Sequence, residues 1–165
     1  MKIYNRFYPD LHIQKINDID VGALNKMGIK YVILDIDNTL VSYTEPLPDE
    51  NALGFLRKLR ENGISFCFVS NNKPLRVEVF NKNINAPYFA NAKKPLLWGI
   101  RKAMQHFNAK KSETALIGDQ ILTDIWGGKR AGIYSILVEP IKEVDTLFFR
   151  CKRKIEKKIL KDKSK

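Results

Sequence analysis

The sequence predicts an α/β protein with a central parallel sheet. Three observations carry that expectation. Short apolar runs of strand length alternate with amphipathic stretches of helix length. The runs are nearly unbroken by polar residues, as strands covered on both faces require. Residues able to do chemistry stand directly after several runs. Right-handed crossovers bring the C-terminal ends of parallel strands to one rim, where open α/β sheets bind ligands.

Taken in order, Met1 to Pro9 carries Ile3, Tyr4, Phe7 and Tyr8 at helix-like spacing and is ended by Pro9. It reads as a segment packed on the core. Between residues 10 and 30 a short helix is expected around Val21 to Met27, closed by Gly28. Tyr31 to Leu34 is an apolar run, read as a buried central strand. A polar loop from Ser42 to Pro48 leads to a helix from about Asp49, with Ala52, Leu53, Leu56 and Leu59 on one face and Gly63 as its stop. Ile64 to Val69 is a second buried strand. Pro74 opens a helix through Val77 and Phe80, and a short strand is expected within Asn83 to Ala90. An amphipathic helix is predicted from Lys93-Lys94-Pro95, with Leu96, Leu97, Ile100, Ala103, Met104 and Phe107 on its apolar face. Thr114 to Ile117 is a strand, a helix runs from about Thr123 to Gly132, and Tyr134 to Val138 is the last strand.

The length of 165 residues suits one domain, here 1–165, with a core of about 28–140 and a basic helix or tail over 141–165. No apolar run approaches a membrane span, and Met1 to Pro9 lacks the apolar core of a signal peptide. The two cysteines, Cys67 and Cys151, are far apart and give no disulfide framework. A cytoplasmic protein is expected. The formal charge of +11 suggests an acidic partner: nucleic acid, an anionic membrane or a phosphorylated substrate. Much of the excess lies from Lys142 onward, with ten Lys/Arg against four Asp/Glu.

The chemistry centres on Asp35 and Asp37. Residues two apart in an extended segment share a side, and two carboxylates at the end of an apolar strand cost free energy unless a cation or a proton offsets them. Asp and Asn are also ordinary turn residues. With a phosphoryl group at the rim, Asp35 could attack phosphorus to form an aspartyl-phosphate. Mg2+ suits the site because it takes oxygen ligands and bridges carboxylates to phosphate. Asp119, with Asp124 behind it, would supply further carboxylates. Asp37 could protonate the leaving oxygen and then deprotonate water. Ser70 and Asn71 could donate to phosphoryl oxygens, and Lys94 could neutralise charge. Each piece has a plainer reading: Ser70-Asn71-Asn72 as a turn, Lys94 as a solvated lysine, Asp119 as a helix cap, Asp124 as a first-turn acid. Their order after alternating strands favours the chemical reading.

Asp35-Ile-Asp37-Asn-Thr39-Leu40 resembles the first motif of the haloacid dehalogenase superfamily, DxDxT. Ser70, Lys94-Pro95 and Gly118-Asp119-xxxx-Asp124 resemble its second, third and fourth motifs, in order. The resemblance implies a Rossmann-like three-layer fold. It also implies Asp35 as nucleophile, Asp37 as acid/base, Lys94 as charge-stabilising lysine, and phosphate contacts from Ser70, Asn71 and Thr39. Metal ligands would be Asp35, Asp119 and Asp124, with Asp37 through its backbone carbonyl. Finer strings, among them Val-Ser-Asn-Asn and Ile-Gly-Asp-Gln-Ile-Leu-Thr-Asp-Ile, are similar to a subgroup of YqeG-type and phosphatidylglycerophosphate phosphatases. That similarity implies a lipid head group as substrate. Only some nine residues separate Leu40 from the next helix and about 23 separate Ser70 from Lys94. Neither gap has room for a large cap domain, so the site should be open to large substrates.

At the C-terminus, Val144, Leu147, Phe148, Cys151, Ile155 and Ile159 fall within an arc of roughly 120° on a helix. Most of the nearby basic residues fall outside it. Such a helix either packs on the domain or holds the protein peripherally on an anionic membrane. Two other readings compete with a lipid phosphatase. One is the same chemistry on nucleic-acid ends or phosphoproteins, and the other is a basic binding module on an idle phosphatase fold.

Overall fold

Tyr31–Leu34 forms the predicted central strand, β2. The computed structural model describes residues 6–142, 154–156 and 158–159. Around β2 lie β1 (Leu11–Ile13), β3 (Ser65–Val69), β4 (Tyr88–Phe89), β5 (Thr114–Gly118) and β6 (Tyr134–Val138). They form one six-stranded sheet in the order β1-β6-β5-β2-β3-β4, and every pairing is parallel. The helices are α1 (Val21–Lys26), α2 (Glu50–Glu61), α3 (Pro74–Asn81), α4 (Trp98–His106) and α5 (Trp126–Ala131).

Alternation along the strands divides the core into two layers. Val32 and Leu34 pack with Phe66, Phe68 and Ile117 under α1, α2 and α3. Ile33 packs with Cys67, Val69 and Leu116 under Ile100 and Ala103 of α4 and Ala131 of α5. The result is the predicted three-layer arrangement. Local sequence sets its helices: the Asp49 carboxylate caps α2 by accepting from the Ala52 N–H at 2.7 Å, and Gly132, at φ 75°, closes α5 in the left-handed conformation. Only a loop joins β2 to α2, and only α3 and β4 lie between Ser70 and Lys94. Among the described residues the rim carries no inserted cap.

Three elements depart from expectation, and the short third predicted strand falls where it was expected. Strand β1 was not predicted: it is three residues long, and its partner β6 lies more than 120 residues away. The short strand expected within Asn83 to Ala90 is Tyr88–Phe89, preceded by a turn in which Asn81 accepts from and donates to Ala86. Helix α4 starts at Trp98 rather than at Lys93. Lys93 sits at φ 53°, which no right-handed helix accommodates, and Leu96, offered to the apolar face, is exposed. The helix expected from Thr123 begins instead as a π-helical turn over Ile121–Ile125.

Asp10 anchors β1. Its N–H donates to the Ser135 carbonyl at 2.9 Å, and its carboxylate accepts from the Ser135 N–H and hydroxyl, each at 2.8 Å, and pairs with Lys129. Burial pushes this carboxyl up, but the Lys129 and Ser135 interactions outweigh it and hold it below its ordinary value. A group held low contributes stability that is present above its unfolded-state pKa and lost as pH falls through the native one. Asp10→Asn should therefore be about 1 kcal/mol less stable at neutral pH. Its denaturant midpoint should depend less on acid below pH 3.8 than the wild type's does. Equal acid dependence in the two proteins would remove Asp10 from this account.

At the two chain ends, Phe7 and Ile159 pack on Ile121, Ile125 and Leu137, and Phe7 also meets the Trp126 ring at 5.2 Å. Of the predicted C-terminal arc, Ile159 is half-buried and Ile155 exposed, while Glu156 is buried and its Oε1 accepts from the Leu122 N–H at 3.2 Å. Val144, Leu147, Phe148 and Cys151 of that arc lie outside the described residues, as do Ile3 and Tyr4. Among the described residues no helix is long and apolar enough to cross a membrane.

Candidate active site

The end of β2 runs into a tight turn. The Asp35 N–H still donates to Ile117 at 3.0 Å, after which the Ile36 carbonyl accepts from Thr39 and Leu40 at 3.2 and 2.9 Å. Asn38 turns the chain at φ 63°, a conformation Asn tolerates better than most residues. Asp35 and Thr39 are both buried there, with the Thr39 hydroxyl 3.5 Å from Asp35 Oδ2. Thr39, expected at the phosphate, is placed against the nucleophile candidate.

Beyond β3, Ser70 is buried and its Oγ accepts from the Asn72 N–H at 3.1 Å. Its O–H remains to donate to a substrate oxygen. Asn71 is a correction. Its side chain was expected on the phosphate, but Nδ2 donates to the Lys94 carbonyl at 3.1 Å and Oδ1 accepts from the Lys94 N–H at 2.6 Å. Both polar atoms of its amide are engaged in holding the Lys94 backbone. The clamp sets Lys94 between two carboxylates, with Nζ 2.7 Å from Asp35 Oδ1 and 2.6 Å from Asp124 Oδ1.

Asp119 follows β5, and the π-helical turn brings Asp124 back over it; π turns of this kind recur at functional sites. Asp124 Oδ2 accepts from the Gln120 N–H and the Thr123 hydroxyl, each at 3.2 Å. Gly118 makes the approach possible, since a Cβ there would lie 2.3 Å from Asp124 Cγ. Carboxylate oxygens of Asp35, Asp119 and Asp124 lie within 4.8 Å of one another, and all three residues are buried. Three carboxylate oxygens converging this closely form a donor set that fits a divalent cation with oxygen ligands. The Asp37 carboxylate is outside this group.

Burial pushes the Asp35 carboxyl up to about 7; Lys94 opposes the rise, while the Asp124 and Asp37 charges add to it. Burial works against the Lys94 charge, but Asp124 and Asp35 outweigh it and hold the ammonium above the ordinary lysine range. Lys94 therefore stays charged, and a second cation among the acids would draw Asp35 back toward its ionised form.

Asp37 is partly exposed. Its Oδ1 accepts from Arg76 Nε and Nη2 at 3.1 and 2.8 Å, and its Oδ2 accepts from Asn72 Nδ2 at 3.2 Å. Arg76 also donates to the Glu45 and Pro46 carbonyls, so it fastens the loop after β2 to α3. Sequence reading missed Arg76. Its one signal is a cation in the first turn of a helix, where the macrodipole disfavours positive charge. Glu156 was missed as well. It caps the turn that carries Asp124, and it is the one acid between residues 146 and 161.

Residues 43–132 match the family of haloacid dehalogenase-like hydrolases. The chain is 34% identical over 154 residues to "Probable phosphatase YqeG" of Bacillus subtilis, covering 93% of this chain and 90% of that one. It is 25% identical to "Phosphatidylglycerophosphate phosphatase 1, chloroplastic/mitochondrial" of Arabidopsis thaliana, over 93% of this chain but 47% of that protein's length. Among solved structures, the cobalt-bound deoxy-D-mannose-octulosonate 8-phosphate phosphatase of Haemophilus influenzae superposes with a TM-score of 0.51 at 16% identity. That match covers 82% of this chain and 89% of the other.

Proposed function

The chain belongs to the haloacid dehalogenase-like hydrolases and is a phosphatase of that family, and from that premise we propose that it is a Mg2+-dependent phosphomonoesterase converting phosphatidylglycerophosphate to phosphatidylglycerol. Supporting this is the convergence of three buried carboxylates and one buried lysine at a sheet rim with no inserted cap. An uncapped rim admits a head group that stays attached to its bilayer, and the Arabidopsis relative bears that substrate in its name.

Asp35 Oδ attacks phosphorus as the ester P–O bond breaks, and the bonding pair leaves with the alcohol oxygen. Asp37 gives that oxygen its proton, for which it has to leave Arg76 and enter the step as the carboxylic acid, having taken a proton from water. Water then attacks the aspartyl-phosphate, Asp37 takes its proton, and release of phosphate regenerates the Asp35 carboxylate. Lys94 and the Ser70 hydroxyl hold the phosphoryl oxygens as charge shifts onto them. Asp35, Asp119 and Asp124 would hold Mg2+, which when bound offsets the repulsion between Asp35 and the phosphate.

The test is phosphate release from phosphatidylglycerophosphate against a panel of nucleotides, phosphorylated oligonucleotide ends and phosphopeptides, with Mg2+ and with chelator. The lipid should be preferred and Mg2+ required. Asp119→Ala and Asp124→Ala should each lower the Mg2+-dependent rate by about a hundredfold or more. Preference for oligonucleotide ends, which the +11 charge would also attract, would overturn the lipid reading and leave the chemistry standing.

A further inference from the structure

We propose that the catalytic rim is itself the surface that docks on an anionic lipid bilayer, with Leu75, Leu96 and Trp98 entering the interface beside the mouth of the site. The inference gains its purpose from the lipid-substrate reading above but stands on separate observations. The first is where exposed apolar residues lie. Tyr43 and Leu47 follow β2, Leu75 follows β3, Leu96 and Trp98 follow β4, and Ile141 follows β6. Each belongs to a segment leaving the C-terminal end of a strand. The other exposed large apolar side chains among the described residues are scattered: Met27 just past α1 on the opposite rim, Val79 late in α3 and Ile155 beyond β6. Single exposed apolar side chains need no explanation, but their collection around one opening does. Leu75 is 71% exposed and Trp98 53%. Leu75 stands in the first turn of α3, just past Ser70, and Leu96 is two residues past Lys94.

The second observation is charge. Residues 71–77 and 91–102 contain Lys73, Arg76, Lys93, Lys94, Arg101 and Lys102 and no acid. Arg76 and Lys94 are engaged by Asp37, Asp35 and Asp124, which leaves Lys73, Lys93, Arg101 and Lys102, all exposed, to face a negative surface. Trp98, Arg101, Lys102 and Arg130 also line a groove of about 440 Å3, a setting in which indole and cations suit the head-group layer. A nucleic-acid strand could stack on Trp98 and use the same cations. It gains nothing from Leu75 and Leu96, aliphatic side chains that an acyl boundary would accept. The apolar residues therefore favour the bilayer. Docked this way, the protein would hold Asp35 and Lys94 at the level of the phosphate.

Trp98 is the probe. The chain has two tryptophans, so Trp126→Phe leaves Trp98 as the sole reporter in the full-length protein. Vesicles of phosphatidylglycerol and phosphatidylcholine, brominated on the acyl chains near the head group, should shift its emission to the blue and quench it. Pure phosphatidylcholine vesicles should not. Leu75→Ser with Leu96→Ser should weaken vesicle binding about tenfold, while hydrolysis of soluble p-nitrophenyl phosphate, which also reports folding, stays at the wild-type level. Anionic vesicles that bind without quenching Trp98 and without responding to these substitutions would place the attachment elsewhere and overturn the proposal. So would an absence of binding, or a single-stranded oligonucleotide that displaces the vesicles from Trp98. Neither readout uses phosphatidylglycerophosphate. A protein that docks as described but does not cleave that lipid refutes the substrate reading alone. One that cleaves it in detergent micelles yet leaves Trp98 unquenched on vesicles refutes the docking alone.

Discussion

Lys94→Met should abolish turnover and cost about 3–5 kcal/mol of stability in metal-free solution, and Mg2+ should restore much of the stability but none of the turnover. The Lys94 side chain is only 3% exposed and bridges Asp35 and Asp124. Methionine keeps its bulk and removes its charge, leaving two largely buried carboxylates without their counter-charge. Breaking a buried pair from one side is costly because the remaining charge has no partner. A divalent cation among the same carboxylates supplies positive charge, so the variant should gain more stability from Mg2+ than the wild type does. Its deficit should also shrink on acidification, since a proton on Asp35 removes one uncompensated charge. Denaturant unfolding with chelator and with Mg2+ measures all three effects. Wild-type stability in chelator would show that Lys94 is not the counter-charge.

Asp35→Asn should lower turnover by about four orders of magnitude or more without loss of stability. Asparagine nearly matches aspartate in shape and can still meet Lys94 and Thr39. It also removes a charge that burial disfavours strongly enough to push the carboxyl to about 7. Lys94 keeps Asp124 as its partner. The amide is no nucleophile toward phosphorus, so acid-quenched wild-type enzyme should carry a phosphoryl group on the peptide containing residue 35 and the variant should carry none. A purified variant with wild-type turnover would end the covalent mechanism.

The features readable from sequence were those written locally. An apolar run ending in two carboxylates identified β2 and Asp35, a capped amphipathic stretch identified α2, and Asp119 stood directly after an unbroken strand. The features missed depend on partners far along the chain. Strand β1, Leu11-His12-Ile13, alternates over only three residues, too few to be read as a strand, and it is held by Ser135 and β6. Asn71 looked like a phosphate ligand because its engagement by Lys94 spans 23 residues. The bond from Arg76 to Asp37 spans 39 residues and that from Leu122 to Glu156 spans 34. Periodicity reports which face is buried and is silent on which polar groups will find each other.

The strand order also bears on how the protein comes to be folded during synthesis. Residues 11–13 are made before the other five strands, yet their strand partner among the described residues is 136–138. Strand β2 likewise keeps one edge open until β5 arrives, because β5 sits between it and β6. Pairings this distant in sequence close slowly, and open edges invite association between chains in the interval. Asp35 is translated early but acquires Lys94, then Asp119 and Asp124, only as later segments emerge, and the turn bearing Asp124 gains its Glu156 cap last. A nascent chain thus holds its nucleophile long before it holds a site.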